Sequence, residues 1–202
     1  MPRVAEGRAA AEPTSAVQRE RRDGILRAAA ELGTENSLDA VQMTEVATRA
    51  GVALGTLYRY FPSKAHLFAG VMVAEVESLS GSIARFADPA KAPHERVADV
   101  LWRATRSLLN KPKLTTSMLR SASAGGADVA AELGRIDEQF NALLLEMLGI
   151  DVPTVEEAAI LRLVQLMWLG LLQATLGARM SMREAESDLR TGCRVMLGSV
   201  AR

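Results

Sequence analysis

Apolar residues recur along this chain with the period of an α-helix, and no stretch shows the two-residue alternation of a strand pair or hairpin. Ile25, Ala28, Ala29 and Leu32 fall at i, i+3, i+4 and i+7 and predict a first helix over residues 18–33. Val46, Ala47 and Ala50 predict a second over 42–50, which Gly51 closes. Leu57 and Phe61 then lie four apart in a third short helix, 55–61, with Tyr58 beside them and Thr56, Arg59 and Tyr60 pointing elsewhere. Leu67, Val71, Ala74 and Leu79 stripe a long fourth helix over 65–86, which ends before Asp88-Pro89.

Beyond Pro93 the helical pattern continues. Val97, Val100, Leu101, Ala104 and Leu108 stripe one helix that stops at Asn110-Lys111-Pro112, and 114–121 forms a short one ended by the small-residue break at 123–126. Ile136, Phe140, Leu143, Leu144 and Met147 stripe the next. Two capping boxes, Thr154 with Glu157 and Ser181 with Glu184, open the last two helices. The first of these is apolar on more than one face (Leu161, Val164, Met167, Trp168, Leu171, Leu172), so it must be covered on every side. Arg162, Gln165 and Gln173 argue against a membrane span, which leaves a partner subunit as the cover. The final helix, striped by Leu189, Cys193, Met196 and Val200, can pair with it in a four-helix homodimer interface built from Leu161, Met167, Leu171, Leu189, Cys193 and Met196. Gly170, Gly177, Gly192 and Gly198 permit close approach there. The expected fold class is all-α with about nine helices: an arm over 1–17, a three-helix DNA-binding head over 18–64, and a ligand-binding and dimerisation region over 65–202.

The stretch 42–64 carries the chemistry. Two short helices joined by Val52-Ala53-Leu54, a turn too tight for anything but an angled pair, make a helix-turn-helix with 55–61 as the recognition helix. From Arg49 to Lys64 there are three cations and no carboxylate. Ser63 is a good N-cap for the following helix, and Lys64 in its first turn is poor for helix stability but well placed for a phosphate, beside Thr56 and Tyr60. Gln42 caps poorly, and its amide suits an adenine edge or a phosphate equally.

The run AGVALGTLYRYFPSK, through Gly51, Gly55, Thr56, Leu57, Tyr58, Tyr60, Phe61 and Lys64, resembles the signature of the TetR family of bacterial one-component repressors, and the resemblance covers about residues 25–67. The longer phrase VQMTEVATRAGVALGTLYRYFPSKAHL is similar to the KstR-like branch, repressors of steroid and cholesterol catabolism in mycolic-acid bacteria. The resemblance implies phosphate contacts from Thr56, Tyr60 and Lys64; base contacts are expected at the turn and the helix start, around Thr44, Val52, Ala53, Leu54 and Arg59, with Gly55 also at the DNA-binding surface. A twofold dimer would set two recognition helices in successive major grooves of a double-stranded operator, roughly 34–36 Å apart. The narrower resemblance implies a steroid-derived acyl coenzyme A thioester as effector.

Composition sharpens the picture. The chain has 202 residues, 49% hydrophobic and 4% aromatic, enough for a sizeable core and biased to helix. Its net charge is zero at an isoelectric point near 6.8, so DNA contact must come from local patches. Arg19, Arg21 and Arg22 crowd the start of the first helix, but Glu20 and Asp23 interleave, and the run reads equally as a solvated face or a phosphate contact. Residues 3–14, with Arg3 and Arg8, read as a solvated arm, the alternative being a minor-groove arm. The single cysteine, Cys193, sits at an apolar position and reads as a buried small hydrophobe in a reducing, cytoplasmic setting. His66 and His94 read as solvent-facing residues; neither has a partner at metal spacing, and no cofactor motif is present. No nucleophile stands beside a histidine, and Asp99, Asp137 and Glu138 are scattered carboxylates, so an all-helical enzyme is disfavoured. Trp102, Met118, Phe140, Met147 and Trp168 read singly as core fillers and together as the lining of an adaptable apolar pocket for a sterol or acyl chain.

Overall fold

The computed structural model describes residues 13–83, 88–124 and 129–198. Among these there is no strand; α1 (Ala16–Glu35), α2 (Met43–Arg49), α3 (Leu54–Tyr60), α4 (Lys64–Ile83), α5 (Pro93–Leu109), α6 (Pro112–Ala124), α7 (Ala130–Leu148), α8 (Val155–Leu176) and α9 (Met182–Leu197) follow in order. The arm residues Arg3 and Arg8, the side chain of Leu79, Phe86 and Val200 lie outside the described residues. Two compact units divide the chain. One takes the residues up to Glu75 together with Lys113–Arg135, the other Val76–Pro112 with the chain from Ile136. α4 and α7 each run from one unit into the other.

In the first unit, α1 buries Ile25, Ala28, Ala29 and Leu32, and α2 buries Met43, Val46 and Ala47. α2 ends as the glycine predicted: Gly51 at φ 66° lets its own N–H reach the Thr48 carbonyl and the Val52 N–H reach that of Ala47, which satisfies two of the orphan acceptors of the last turn. Near the end of α1 a Cβ on Gly33 would meet the Phe68 ring at 2.8 Å and Leu114 at 2.9 Å, so only a bare backbone lets α1 pack this closely on α4 and α6. α6 is fastened further by Lys113, which donates to the Glu35 carbonyl at 2.8 Å, and by Arg120, which forks onto the Asp39 carboxylate at 3.0 and 3.4 Å.

In the second unit, one core gathers Val97, Leu101 and Ala104 of α5, Leu143, Leu144 and Met147 of α7, Leu161 and Val164 of α8, and Leu189, Cys193 and Leu197 of α9. Both capping boxes form, with Thr154 and Ser181 accepting from the Glu157 and Glu184 N–H groups at 3.2 Å and each glutamate reaching back to its cap residue. Asp99 of α5 accepts from Lys91 at 2.6 Å and from Arg190 of α9 at 2.9 Å. Burial pushes its carboxyl up, but the two cations outweigh that and hold it below the ordinary carboxylate range. Burial pushes the Cys193 thiol up to about 12, so it stays protonated and unreactive.

The expectation for the dimer seam needs correction here. Leu161, Leu189 and Cys193 are interior to one protomer, because α5 and α7 already cover that side of α8 and α9. Met167, Leu171 and Met196 are half-buried against the same core. The large apolar positions that α8 and α9 leave open are Val155 (91% exposed) and Met182 (41%) at their first residues and Leu163 (55%), Leu166 (65%) and Val195 (72%) within them. In a helix apolar all round the sequence pattern does not say which face turns into the core. Among the described residues α8 is also the one helix long and apolar enough to cross a membrane. Its Gln165 donates to Asn141 at 2.7 Å and its Leu161, Val164 and Leu172 are buried in the protomer.

Candidate nucleic-acid interface

The short third helix is held by what it buries. Leu57, Tyr60 and Phe61 are at most 3% exposed, the i, i+3, i+4 triad of one helix face. This reverses the expectation for the tyrosines: Tyr60 is 2% exposed and Tyr58 is 44% exposed. At 100° per residue the two flank the Leu57–Phe61 stripe by about 80° on either side, so the packing of the first unit, not the period, chooses between them. Tyr60 has a bracing role, its hydroxyl accepting from Arg59 at 3.2 Å while the Arg59 guanidinium lies 5.0 Å over its ring. On the other side, the Arg22 guanidinium of α1 lies 5.3 Å over the Phe61 ring, which ties the basic start of α1 to the end of α3.

The remaining residues predicted to meet DNA sort by exposure. Gln42, Thr44, Ala53, Leu54, Gly55 and Arg59 are exposed together on α2, the turn and α3, while Val52, Thr56 and Lys64 are half-buried. Gln42 occupies the N-cap of α2 without a capping bond from its side chain, leaving its amide unused by the helix. Lys64 is not simply presented to solvent: its ammonium donates to the Leu38 carbonyl at 2.9 Å and ties α4 to the α1–α2 connector. An ammonium has two further donors, so this tether aims the charge without consuming it. Ser63 caps α4 as expected, accepting from the His66 N–H at 3.3 Å. Its hydroxyl also bonds the His66 Nδ1 at 2.8 Å, so His66 is a half-buried first-turn anchor where a solvent-facing residue was expected. Of the three cations counted in this stretch, Arg49 is paired with Glu35 at 3.0 Å. Tyr58 is the functional candidate that the periodicity passed over.

The expected ligand residues fall in both units. In the second, Phe140 and Trp168 stack at 4.9 Å with planes 20° apart, the Trp168 indole N–H donates to Thr105 at 2.7 Å, and Trp102 and Met147 belong to the same apolar cluster. Met118 is buried in the first unit. Among the described residues no three His, Cys, Asp or Glu side chains gather to hold a metal ion.

Two family descriptions match this arrangement in order along the chain. "Bacterial regulatory proteins, tetR family" covers residues 25–71, the helices from α1 into α4. "Tetracyclin repressor-like, C-terminal domain" covers residues 91–196, just over half of the chain. The chain belongs to the TetR family. The HTH-type transcriptional repressor KstR of Rhodococcus jostii (strain RHA1) is 34% identical to it over 189 residues, 94% of this chain and 88% of that protein. The crystal structure of a TetR transcriptional regulator from Rhodococcus sp. RHA1 shares the fold at a TM-score of 0.83 and 45% identity, over 90% of this chain and 97% of that one. Thermus thermophilus FadR, a TetR-family transcriptional repressor solved in complex with lauroyl-CoA, shares the fold at 0.69 and 20% identity, over 87% of this chain and 93% of that one. This TetR-type chain is a DNA-binding transcriptional repressor.

Proposed function

We propose that this repressor binds a near-palindromic operator as a cytoplasmic homodimer and is released by a large apolar acyl effector, a steroid-derived or fatty acyl coenzyme A thioester. The observation that carries the DNA half is the division of α3, with Leu57, Tyr60 and Phe61 buried and Leu54, Gly55, Tyr58 and Arg59 exposed on one surface with Thr44 and Gln42. Thr56, Tyr58 and Lys64 hold phosphates and set the register; the turn and the start of α3 meet base edges. Leu163, Leu166 and Val195 support the dimer, because an open row of large apolar side chains on an otherwise packed helix pair is covered when a second copy brings the same row across a twofold axis.

The effector half rests on the second unit. Trp102, Phe140, Met147 and Trp168 offer polarisable apolar surface with a polar handle where Trp168 meets Thr105, and the related fold of Thermus thermophilus FadR holds lauroyl-CoA. In the same unit Gln139 of α7 donates to Glu77 of α4 at 3.1 Å, and α4 continues from there into the head as far as Lys64. An acyl chain wedged among α5, α7 and α8 displaces that half of α4 and, through the continuous helix, the heads, for which a coupling of about 1–3 kcal/mol is enough to switch a promoter.

Thermal shift with lauroyl-CoA, a steroid-carboxylate CoA thioester and free coenzyme A tests this. A true effector at a hundred times its dissociation constant adds about 2.7 kcal/mol and weakens binding to an operator duplex in the same concentration range. No stabilisation by either thioester, with operator binding intact, would instead identify a regulator without a small-molecule effector. Replacing Leu166 with Glu tests the dimer: sedimentation should report a monomer.

A further inference from the structure

We propose that the turn and first residues of α3 read the operator through the 5-methyl groups of thymines, not through hydrogen bonds to base edges. The inference rests on the assignment of the helix-turn-helix surface to duplex DNA and specifies what that surface recognises. Val52, Ala53, Leu54 and Gly55 follow one another through the turn into α3, and none carries a side-chain donor or acceptor. Ala53 and Gly55 are exposed, Val52 is half-exposed, and Leu54 is 38% exposed although it stands at the front of a helix whose other large apolar residues, Leu57 and Phe61, are buried. Packing covers Leu54 only in part and leaves over a third of it open at the front of the helix. A Cβ built on Gly55 would meet nothing within 4 Å, so the space in front of this patch is open to a partner.

The polar side chains of the same surface border the patch. Gln42 and Thr44 stand at the front of α2, and Tyr58 and Arg59 lie one turn further along α3. Arg59 is drawn back onto the Tyr60 ring and hydroxyl. In the major groove every base pair offers donors and acceptors, but thymine alone among the four bases offers a methyl group. A leucine laid against the guanine O6 and N7 or the cytosine N4 strips water from those groups and returns no bond, a penalty absent where it meets the thymine methyl group, which has no water bond to lose. The patch thus selects for thymine and against G·C pairs at the positions it covers.

The probe is the duplex that the full-length protein enriches from a random-sequence library, with its half-site thymines replaced one at a time by deoxyuracil, a change that removes only the methyl group. For the wild type, at least one position in each half-site should bind about fourfold more weakly, the effect of one buried methyl group. Leu54→Ala should abolish that response in protein that circular dichroism shows to be folded at the assay temperature, and Leu54→Met, with an apolar side chain of similar volume, should retain it. The proposal is overturned if the wild type binds the duplex and no deoxyuracil position weakens it, or if Leu54→Ala keeps the full response. Failure to enrich any duplex would overturn the DNA-binding assignment itself, an outcome distinct from the other two.

Discussion

Tyr58 and Tyr60 stand two residues apart in the same short helix, and the structure gives them opposite surroundings. Truncating Tyr60, which is 2% exposed, leaves a ring-sized cavity under α3 and should cost about 3–5 kcal/mol. That is a fall in melting temperature of about 6–20 °C. Removing only its hydroxyl as Tyr60→Phe deprives Arg59 of an acceptor at 3.2 Å, a loss of about 0.5–1.5 kcal/mol. Tyr58, 44% exposed, behaves in the reverse sense: Tyr58→Phe should leave the melting temperature within about 0.5 kcal/mol of wild type. Its operator affinity should fall about tenfold or more, the effect of one hydroxyl lost from a charged phosphate. Circular dichroism melts and fluorescence anisotropy against one operator duplex measure both quantities on the same preparations. The reasoning is refuted if Tyr60→Ala melts within 2 °C (about 0.5 kcal/mol) of wild type. It is refuted equally if Tyr60→Phe loses the affinity and Tyr58→Phe keeps it.

Three further outcomes concern stability. Asp99→Asn should destabilise by about 1 kcal/mol at neutral pH. The folded carboxyl titrates below its unfolded value near 3.9, so its contribution is complete above that pH and lost as pH falls through the folded value; melts across acidic pH should show wild type and variant converging. Ala178 closes α8 at φ 54° in the same hydrogen-bond pattern that Gly51 and Gly149 form with glycine, and Ala178→Gly should stabilise by roughly 1 kcal/mol in urea titration. Gly33→Ala and Gly24→Ala should have opposite signs although both lie in α1. The first drives a methyl into Phe68 and Leu114 and loses about 1–2 kcal/mol net; the second meets only the end of Arg27 at 3.9 Å and gains up to about 1 kcal/mol of helix propensity.

What the sequence made legible was whatever local chemistry determines. The buried face of α1, the glycine stop of α2 and both capping boxes each follow from residues within a turn of one another, and the structure has them where the pattern put them. Two kinds of information were absent. One is phase: Tyr58 and Tyr60 are equally far from the Leu57–Phe61 stripe, and α8 carries apolar residues around its whole circumference, so period alone could not say that Tyr60 goes in or that Leu163 and Leu166 stay out. The other is distance. Lys113 reaches Glu35 across 78 residues and Arg120 reaches Asp39 across 81, and no local pattern announces such a partnership. The helix-turn-helix was legible as a stretch because it is contiguous, and Leu54 was named within it. Its open apolar character emerged only once its neighbours were seen to be buried.

The fastening of α6 onto α1 bears on any attempt to move the DNA-reading specificity of this protein into another. A chimera that transplants only the chain up to Glu75 leaves behind Leu114, which fills the notch at Gly33, and the two cations that clasp Glu35 and Asp39. The graft would carry an uncovered groove along α1. A working cassette has to be discontinuous, bringing 113–135 from the middle of the chain or a recipient helix that already offers a leucine and two bases at matching positions.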